Sequence, residues 1–595
     1  MSDYSAPLAD IRFALQELAG LADIATLPAY EEATPDIINA VLDEAADNAA
    51  EVLAPLNQPG DETGSRLVDG EVVTPEGFAD AYRVFVESAW QSLPCNPDHG
   101  GQGLPQLLGA AVNEMWHSAN MSFALCPMLT ESAIELLENH ASKELNELYT
   151  PRLVSGEWTG AMDLTEPQAG SDLAVIKTKA VPDGDQYRIS GQKIFITWGD
   201  HDMADNIVHL VLARLPDAPP GIKGISLFLV PKFLPGEDGT PGERNDLHAV
   251  SLEHKLGIHA SPTCVMSFGE NGGATGYLVG EENNGVACMF TMMNHARLAV
   301  GMQGLSISER AYQHALEYAK ERIQGRIPGK DDRATIIHHA DVRRMLMTMK
   351  AGTEAMRALC YITAASLDYK HHAQDEKLRQ QHKENFALLT PVVKAWCTEL
   401  AQELTSLGIQ VHGGMGYVEE TGAAQFFRDA RITNIYEGTT GIQARDLAER
   451  KLLRDKGAVL QRLLGEIREL MPQLADSGNN DIRIIHRHFE AGIKHLEEAA
   501  DWLLANHDKN EHNAGAASYH FLMLTGTVLG GWQMARASLK AAAHLESNDE
   551  SAVFYSAKIT TARFYAEHIL TRSHYYLQSI QAGSDSMMGL EIDQF

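Results

Sequence analysis

Apolar positions recur at helical spacing through the first part of the chain. In residues 37–56, Ile38, Val41, Leu42, Ala45 and Ala49 fall on one face, and residues 1–160 as a whole predict helices. The period changes at 161. Tyr187-Arg188-Ile189-Ser190-Gly191-Gln192-Lys193-Ile194-Phe195-Ile196-Thr197 alternates as strands do, with a turn expected at Ser190-Gly191. Residues 209–214 and 225–230 are apolar runs of strand length, and the clusters at 235–242 and 280–285 predict turns. Short strands at this spacing predict a small β-barrel or sandwich over 161–285. Helical periodicity returns over 286–450, with long helices at 289–319 and 338–366 and a loop at 326–333 containing Pro328 and Gly329. A further amphipathic helical run covers 425–432. Residues 451–595 are helical, broken near Ser477-Gly478-Asn479-Asn480 and at 546–550. The order is that of an α+β multidomain chain. An N-terminal helical domain (1–160), a central β-barrel-like domain (161–285) and a helical bundle (286–450) precede an added C-terminal helical domain (451–595).

One stretch needs a decision. Residues 513–535 carry no fixed charge and are long enough to cross a bilayer. They also contain Asn513, Ser518, His520, Gln533 and several glycines inside a helical region, so the reading is a buried core helix, with membrane attachment as the alternative. The formal charge of −32 repels phosphate backbones and argues against nucleic acid as a partner. Cys95, Cys126, Cys264, Cys288, Cys360 and Cys397 form no CxxC pair, and no Cys/His cluster has zinc-ligand spacing. Buried free thiols in a reducing compartment follow. Residues 1–20 hold Asp3, Asp10 and Glu17 against the single cation Arg12, which is neither a signal nor a transit peptide. A cytoplasmic protein fits these features.

Three segments carry chemistry. Asn434-Ile435-Tyr436-Glu437-Gly438-Thr439-Thr440-Gly441 places one carboxylate in a glycine-flanked turn; alone, it reads as a solvated turn. Ala161-Met162-Asp163-Leu164-Thr165-Glu166-Pro167-Gln168-Ala169-Gly170-Ser171-Asp172 is a polar loop whose hydroxyls and N–H groups suit a ring carbonyl or a phosphate. Phe195 and Thr197, two apart in a strand, share one face, either as half-buried sheet or as a wall against a flat cofactor.

Together these segments resemble the FAD-dependent acyl-CoA dehydrogenases. Thr165-Glu166-Pro167 with Gly170-Ser171-Asp172, then Gly191-Gln192-Lys193-Ile194-Phe195-Ile196-Thr197, is similar to the family's first signature. Gln410-Val411-His412-Gly413-Gly414-Met415-Gly416-Tyr417, Arg428-Asp429-Ala430-Arg431-Ile432 and Ile435-Tyr436-Glu437-Gly438-Thr439 are similar to the second. Pro97-Asp98-His99-Gly100-Gly101-Gln102-Gly103 resembles an N-terminal loop of the family. The likeness spans roughly residues 40–450. The segment before it and the tail beyond 450 are similar to an extended bacterial subgroup. That subgroup includes 3-(methylthio)propanoyl-CoA and broad-range fatty acyl-CoA dehydrogenases.

The resemblance implies a four-helix bundle, with FAD between it and the β-domain, and an acyl-CoA substrate. It implies Glu437 as the base that takes the α-proton, with a raised pKa, and Arg297 as its partner. Arg297 is also readable as an ordinary helix charge. Ala296 stands where a minority of members place the base and cannot accept a proton. Leu164, Thr165, Ser171, Phe195 and Thr197 match flavin contacts, and Thr439 a contact after the base. Gln410 and Gly414 match contacts to the adenine half from a second subunit, and Arg322 a pyrophosphate contact across the dimer. Ser171, Asn294 and Arg297 match substrate-side positions. Gly325 falls where an aromatic is common, Gly441 where glutamine is common, and Asn294 where aspartate is common. His412 is read as a packed loop histidine. Electrons are expected to leave through an electron-transfer flavoprotein, and the tail to favour a homodimer. The alternatives are an acyl-CoA oxidase that reduces oxygen and a non-catalytic flavoprotein that protects DNA, the latter disfavoured by the acidic surface.

Overall fold

A computed structural model describes residues 4–236, 239–327, 333–547 and 551–595. The chain divides into two compact units. One comprises residues 32–105 and 115–299; the other comprises the chain up to 31, residues 106–114 and everything from 300 onward.

In the first unit, α1 (Pro35–Asn48) begins at Thr34, whose hydroxyl accepts from the Ile37 N–H at 3.3 Å. The expected face is buried at Ile38, Leu42, Ala45 and Ala49, and half-buried at Val41. A short hairpin, Arg66–Val68 with Glu71–Val73, interrupts the mainly helical stretch before the first strand of the sheet. The long helix α2 (Met121–His140) is capped by the Asn120 side chain and buried along most of its length. It packs on the first strand of the sheet at Gly160, where an added Cβ would lie 2.6 Å from the Ala133 Cβ.

The sheet contains β1 (Trp158–Asp163), β2 (Lys179–Asp183), β3 (Gln186–Thr197), β4 (Asn206–Ala213), β5 (Ser226–Pro231), β6 (Leu247–Leu252), β7 (Thr263–Phe268) and β8 (Ala274–Val279). Its order is β6-β7-β3-β8-β5-β4-β1, with β2 on β3. The β1–β4 pair is parallel and the other pairs are antiparallel. Strands β4 and β5 are buried on both faces, which is why they read as continuous apolar runs rather than as alternation.

The turn expected at Ser190-Gly191 does not form. Strand β3 continues through it and changes neighbours there: Tyr187, Arg188 and Ile189 pair with β8, and Gly191 onward pairs with β7. The glycine serves close approach instead, since a Cβ at Gly191 would sit 2.6 Å from Thr178 Oγ1. This change of neighbour curls the sheet. Two other expected loops are partly strands. Phe233–Pro235 pairs with Pro241–Arg244, and Ile323–Arg326 pairs with Arg333–Thr335; Pro328 and Gly329 lie outside the described residues.

His259 adds a pH-dependent tie in this unit. Its Nδ1 lies 3.0 Å from Asp61 Oδ1, and its hydrogen bonds to Asp61 raise its pKa to about 9. The folded value lies above the ordinary 6.5, so this stabilisation is complete below about 6.5 and disappears as pH rises through 9. The ring is one-third exposed, so we expect about 1 kcal/mol after solvent screening. Urea melts at pH 6 and pH 9.5 should show this difference, and His259→Gln should remove it.

Helix α3 (Gly285–Glu321) runs from one unit into the other. The second unit continues with α4 (Ala340–His372), α5 (Glu376–His412) and α6 (Ala423–Ala430), followed by α7 (Asn480–Asn506), α8 (Asn513–Glu546), α9 (Ala552–Phe564) and α10 (Arg572–Gln581). The uncharged stretch 513–535 lies in α8 and is a core helix. Its glycines admit large rings: a Cβ at Gly526 would lie 2.2 Å from Trp396 Cγ, and one at Gly530 would lie 2.5 Å from the Tyr565 hydroxyl. Among the described residues, no helix is long and apolar enough to cross a membrane. The N-terminal helix Leu8–Phe13 and the following turns, Ala14–Leu18, are keyed to the tail by charge: Asp10 pairs with Lys558, and Glu17 lies 3.0 Å from His544 and 3.3 Å from Lys540. All six cysteines are free and buried, as expected.

Candidate active site

In the second unit, the Glu437 turn follows α6. Residues 431–435 reverse the chain, and Glu437 and Gly438 both take left-handed backbone conformations, with φ of 55° and 90°. A non-glycine residue with positive φ persists only when its surroundings hold it there. Several groups do so. The Gln443 amide, fully buried, donates to the Glu437 carbonyl at 3.2 Å and to the Gly438 carbonyl at 3.4 Å. The Tyr436 hydroxyl donates to Gln303. The Thr440 N–H donates to the Asn434 carbonyl at 3.1 Å. Glu399 Oε1, on α5, accepts from the Thr440 hydroxyl at 2.5 Å and from Asn434 Nδ2 at 3.1 Å. Thr439 caps the next helix, its hydroxyl accepting from the Ile442 N–H at 3.4 Å. Glu437 itself is half-buried.

Elsewhere in this unit, Gln410 is exposed at the end of α5, and Gly414 lies in the following turn, where an added Cβ would meet nothing within 4 Å. Arg322 is exposed at the end of α3, just before the short hairpin. His412 is buried, its Nδ1 lies 2.7 Å from the Gly408 carbonyl, and it stacks on His314 with ring centroids 4.5 Å apart, consistent with a packed histidine.

In the first unit, the loop after β1 is clipped to β3. The Lys193 ammonium, fully buried, donates to the Leu164 carbonyl at 3.1 Å and to Glu166 Oε1 at 2.9 Å. The Ile194 N–H donates to the Thr165 carbonyl at 2.9 Å. Glu166 also accepts from the Lys177 and Thr178 N–H groups at 2.6 and 3.0 Å, from the Thr178 hydroxyl at 2.6 Å and from Gln168 at 2.6 Å. Burial pushes its pKa up, but the Lys193 charge and these donors outweigh it and hold the carboxyl at about 2. Just beyond Lys193, β3 bulges. Lys193 pairs with Met266 and Ile196 with Cys264, so two β3 residues oppose Val265 alone. Phe195 takes φ 60° at this bulge and is 58% exposed. Thr197 is half-buried on the same outward face, with Ile196 buried between them. Leu164 and Thr165 are half-buried and Ser171 is exposed. Arg297 is buried, its guanidinium 5.8 Å from the Phe290 ring centre and 3.5 Å from Asn294 Oδ1.

Six of the predicted residues gather as two groups, while Ser171, Asn294, Arg297, Arg322, Gln410 and Gly414 are joined to neither by a described hydrogen bond. Leu164, Thr165, Phe195 and Thr197 are joined through Lys193 and Ile194; Glu437 and Thr439 share one buttressed turn. Arg297 and Asn294 belong to the first unit and Glu437 to the second. Sequence reasoning passed over Glu399 and Gln443, and quoted Lys193 and Glu166 without giving them a role. Glu399 carried no local signal, because it lies 35 residues from Asn434 along the chain.

These surfaces suit FAD. An aromatic held outward on a positive-φ backbone, beside a hydroxyl, offers a wall to a flat ring. A bare glycine turn such as 413–414 admits a ligand against the backbone.

Comparison with known proteins agrees. The family model for the acyl-CoA dehydrogenase middle domain matches residues 161–270, and that for the C-terminal domain matches 283–452. A model described as acetyl-CoA dehydrogenase C-terminal like matches 463–591. A 3-methylmercaptopropionyl-CoA dehydrogenase of Ruegeria pomeroyi is 48% identical across 98% of this chain and 99% of its own. The broad-specificity linear acyl-CoA dehydrogenase FadE5 of Mycobacterium tuberculosis is 36% identical over 84% of each chain. Among solved structures, ACDH-11 of Caenorhabditis elegans in complex with C11-CoA shares the fold at a TM-score of 0.76, with 20% identity over 99% of this chain and 96% of that one. An acyl-CoA dehydrogenase of Bacillus anthracis complexed with FAD does so at 0.73, with 19% identity over 94% and 90%. With a relative of such identity matched almost end to end, the chain belongs to the acyl-CoA dehydrogenase family and is an FAD-dependent acyl-CoA dehydrogenase.

Proposed function

We propose that Glu437 is the base of this dehydrogenase and that its substrate is a short acyl-CoA, 3-(methylthio)propanoyl-CoA in the first instance. The observation that carries the base assignment is the Glu437 turn, a strained carboxylate position held by Gln443, Tyr436 and Glu399 together. Glu437 takes the α-proton of the thioester, and its backbone N–H donates to the thioester oxygen, where negative charge develops. FAD, when bound, supplies the acceptor for the β-hydride, and the product is the trans-2-enoyl-CoA.

The remaining roles follow the same reading. Leu164, Thr165, Ser171, Phe195 and Thr197 hold the flavin. Gln410, Gly414 and Arg322 reach the adenine half and pyrophosphate of a second subunit's FAD, and Thr439 contacts the cofactor beside the base. Arg297, with Asn294, orients the base and the substrate, and Ser171 also meets the CoA moiety. The protein acts as a homodimer and hands electrons to an electron-transfer flavoprotein. The chain works as four modules with boundaries at 160, 285 and 450.

The substrate assignment is supported by the full-length likeness to the Ruegeria enzyme. A linear fatty acyl-CoA is the second candidate, supported by FadE5 and by a butyryl-CoA dehydrogenase of Syntrophomonas wolfei that is 35% identical over 100% of this chain and 99% of its own. Anaerobic stopped-flow mixing of the FAD-loaded protein with 3-(methylthio)propanoyl-CoA, butyryl-CoA and longer linear esters separates them. We expect flavin bleaching fastest with 3-(methylthio)propanoyl-CoA. Fastest bleaching by a long linear ester would overturn the substrate assignment.

A further inference from the structure

We propose that Glu399 is a positioning residue for Glu437, and that it acts by closing the base of the turn from which the catalytic carboxylate projects. The inference rests on the assignment of Glu437 as the base.

Residues 434–440 form an arch. At its foot, the backbone bond from the Thr440 N–H to the Asn434 carbonyl joins the two ends. Glu399 braces the same foot from α5, one oxygen accepting from a side chain on each end: the Thr440 hydroxyl at 2.5 Å and Asn434 Nδ2 at 3.1 Å. The other side of the Asn434 amide is fixed too, since Arg431 Nη1 donates to Asn434 Oδ1 at 2.5 Å. The Asn434 side chain therefore has its oxygen and its nitrogen each assigned by a partner. At the crown, Glu437 and Gly438 are left-handed, and Gln443 holds both of their carbonyls. The crown is neither helix nor strand, so the carboxylate's position depends on Gln443 at the crown and on how firmly the foot is closed.

Glu399 sits on α5, a 37-residue helix whose surrounding stretch packs against α4 and α8. It thus ties the arch to a long helix packed against its neighbours. A displacement of about 1 Å between base and reacting carbon can cost on the order of 100-fold in rate without loss of binding.

The role predicts a specific pattern. Glu399→Ala removes the shared acceptor. We expect flavin reduction by acyl-CoA to slow by roughly 10–100-fold, while FAD content and the acyl-CoA dissociation constant stay within about two-fold. The deuterium isotope effect with α-deuterated substrate should rise, because proton abstraction becomes more fully rate-limiting. Glu399→Gln keeps an oxygen that accepts from both donors and should recover most of the rate. If Glu399→Ala does not fold, Thr440→Val removes one of the same bonds from the arch side and takes its place.

Wild-type reduction rates in Glu399→Ala with an inactive Glu437→Gln would overturn this proposal and leave the base assignment standing. Normal rates in both variants would instead remove the base assignment. Equal losses in the Ala and Gln variants, or a loss confined to substrate affinity, would also overturn the proposal, because the shared acceptor would then not be what matters.

Discussion

Glu437→Gln should bind FAD and acyl-CoA as the parent does and lose at least about 10³-fold in flavin reduction, equivalent to about 4 kcal/mol of transition-state stabilisation. The substitution is close to isosteric, and the crown of the turn is held through main-chain carbonyls by Gln443 rather than through the Glu437 side chain. The arch should therefore survive. What disappears is a group able to take a proton. Stopped-flow reduction, with equilibrium titration of a substrate analogue, separates the two effects. Lost binding with an unchanged reduction rate would mean that Glu437 anchors substrate and that the base lies elsewhere. The same variant should lose the acidic limb of the pH–rate profile, since that limb reports protonation of the base in the parent enzyme.

Lys193→Met should be strongly destabilising, by about 3–5 kcal/mol. Removing the cation leaves Glu166 buried, still surrounded by the Lys177 and Thr178 N–H groups and the Thr178 hydroxyl but without its counter-charge. It also frees the Leu164 carbonyl. The loop that resembles a flavin-binding segment would lose its clip to the strand carrying Phe195 and Thr197. FAD affinity should fall together with the melting temperature. Lys193→Met/Glu166→Gln removes both charges and should recover part of the stability, which a double-mutant cycle by chemical denaturation would measure. The pair also sets an acid limit. With the Glu166 carboxyl at about 2 when folded, against an ordinary 4.5, its contribution is complete above about 4.5 and is lost as pH falls towards 2. A single variant as stable as the parent would show that the pair is replaceable and that the loop is held by Ile194 and the backbone alone.

Much of the candidate site was legible locally. The Glu437 octet, the loop at 161–172 and the Phe195/Thr197 pair are short local segments, each ambiguous alone, and their order along the chain is what resembles the family. The buttresses were not legible. Glu399 reaches Asn434 and Thr440 only because α5 runs back past the turn, and Lys193 reads in sequence as a polar residue of an alternating strand. Its full burial against Glu166 follows from the bulge and from the loop folding over it.

The helical, β and helical order, the core character of residues 513–535 and the buried thiols follow from periodicity and composition alone, because burial of apolar faces is a local demand that each segment must meet. The continuous β3 was decided by tertiary contact. Glycine after serine signals a turn when only neighbours in sequence are considered, but at Gly191 the missing side chain makes room for Thr178 and lets the strand exchange partners. The same holds for the left-handed backbones of Phe195 and Glu437. Their cost is intrinsic to the residues. At Glu437 the bonds around the turn come from Gln443 and from distant positions such as Gln303 and Glu399, and at Phe195 the conformation goes with the bulge against β7, so both are set by partners that only the folded chain brings within reach.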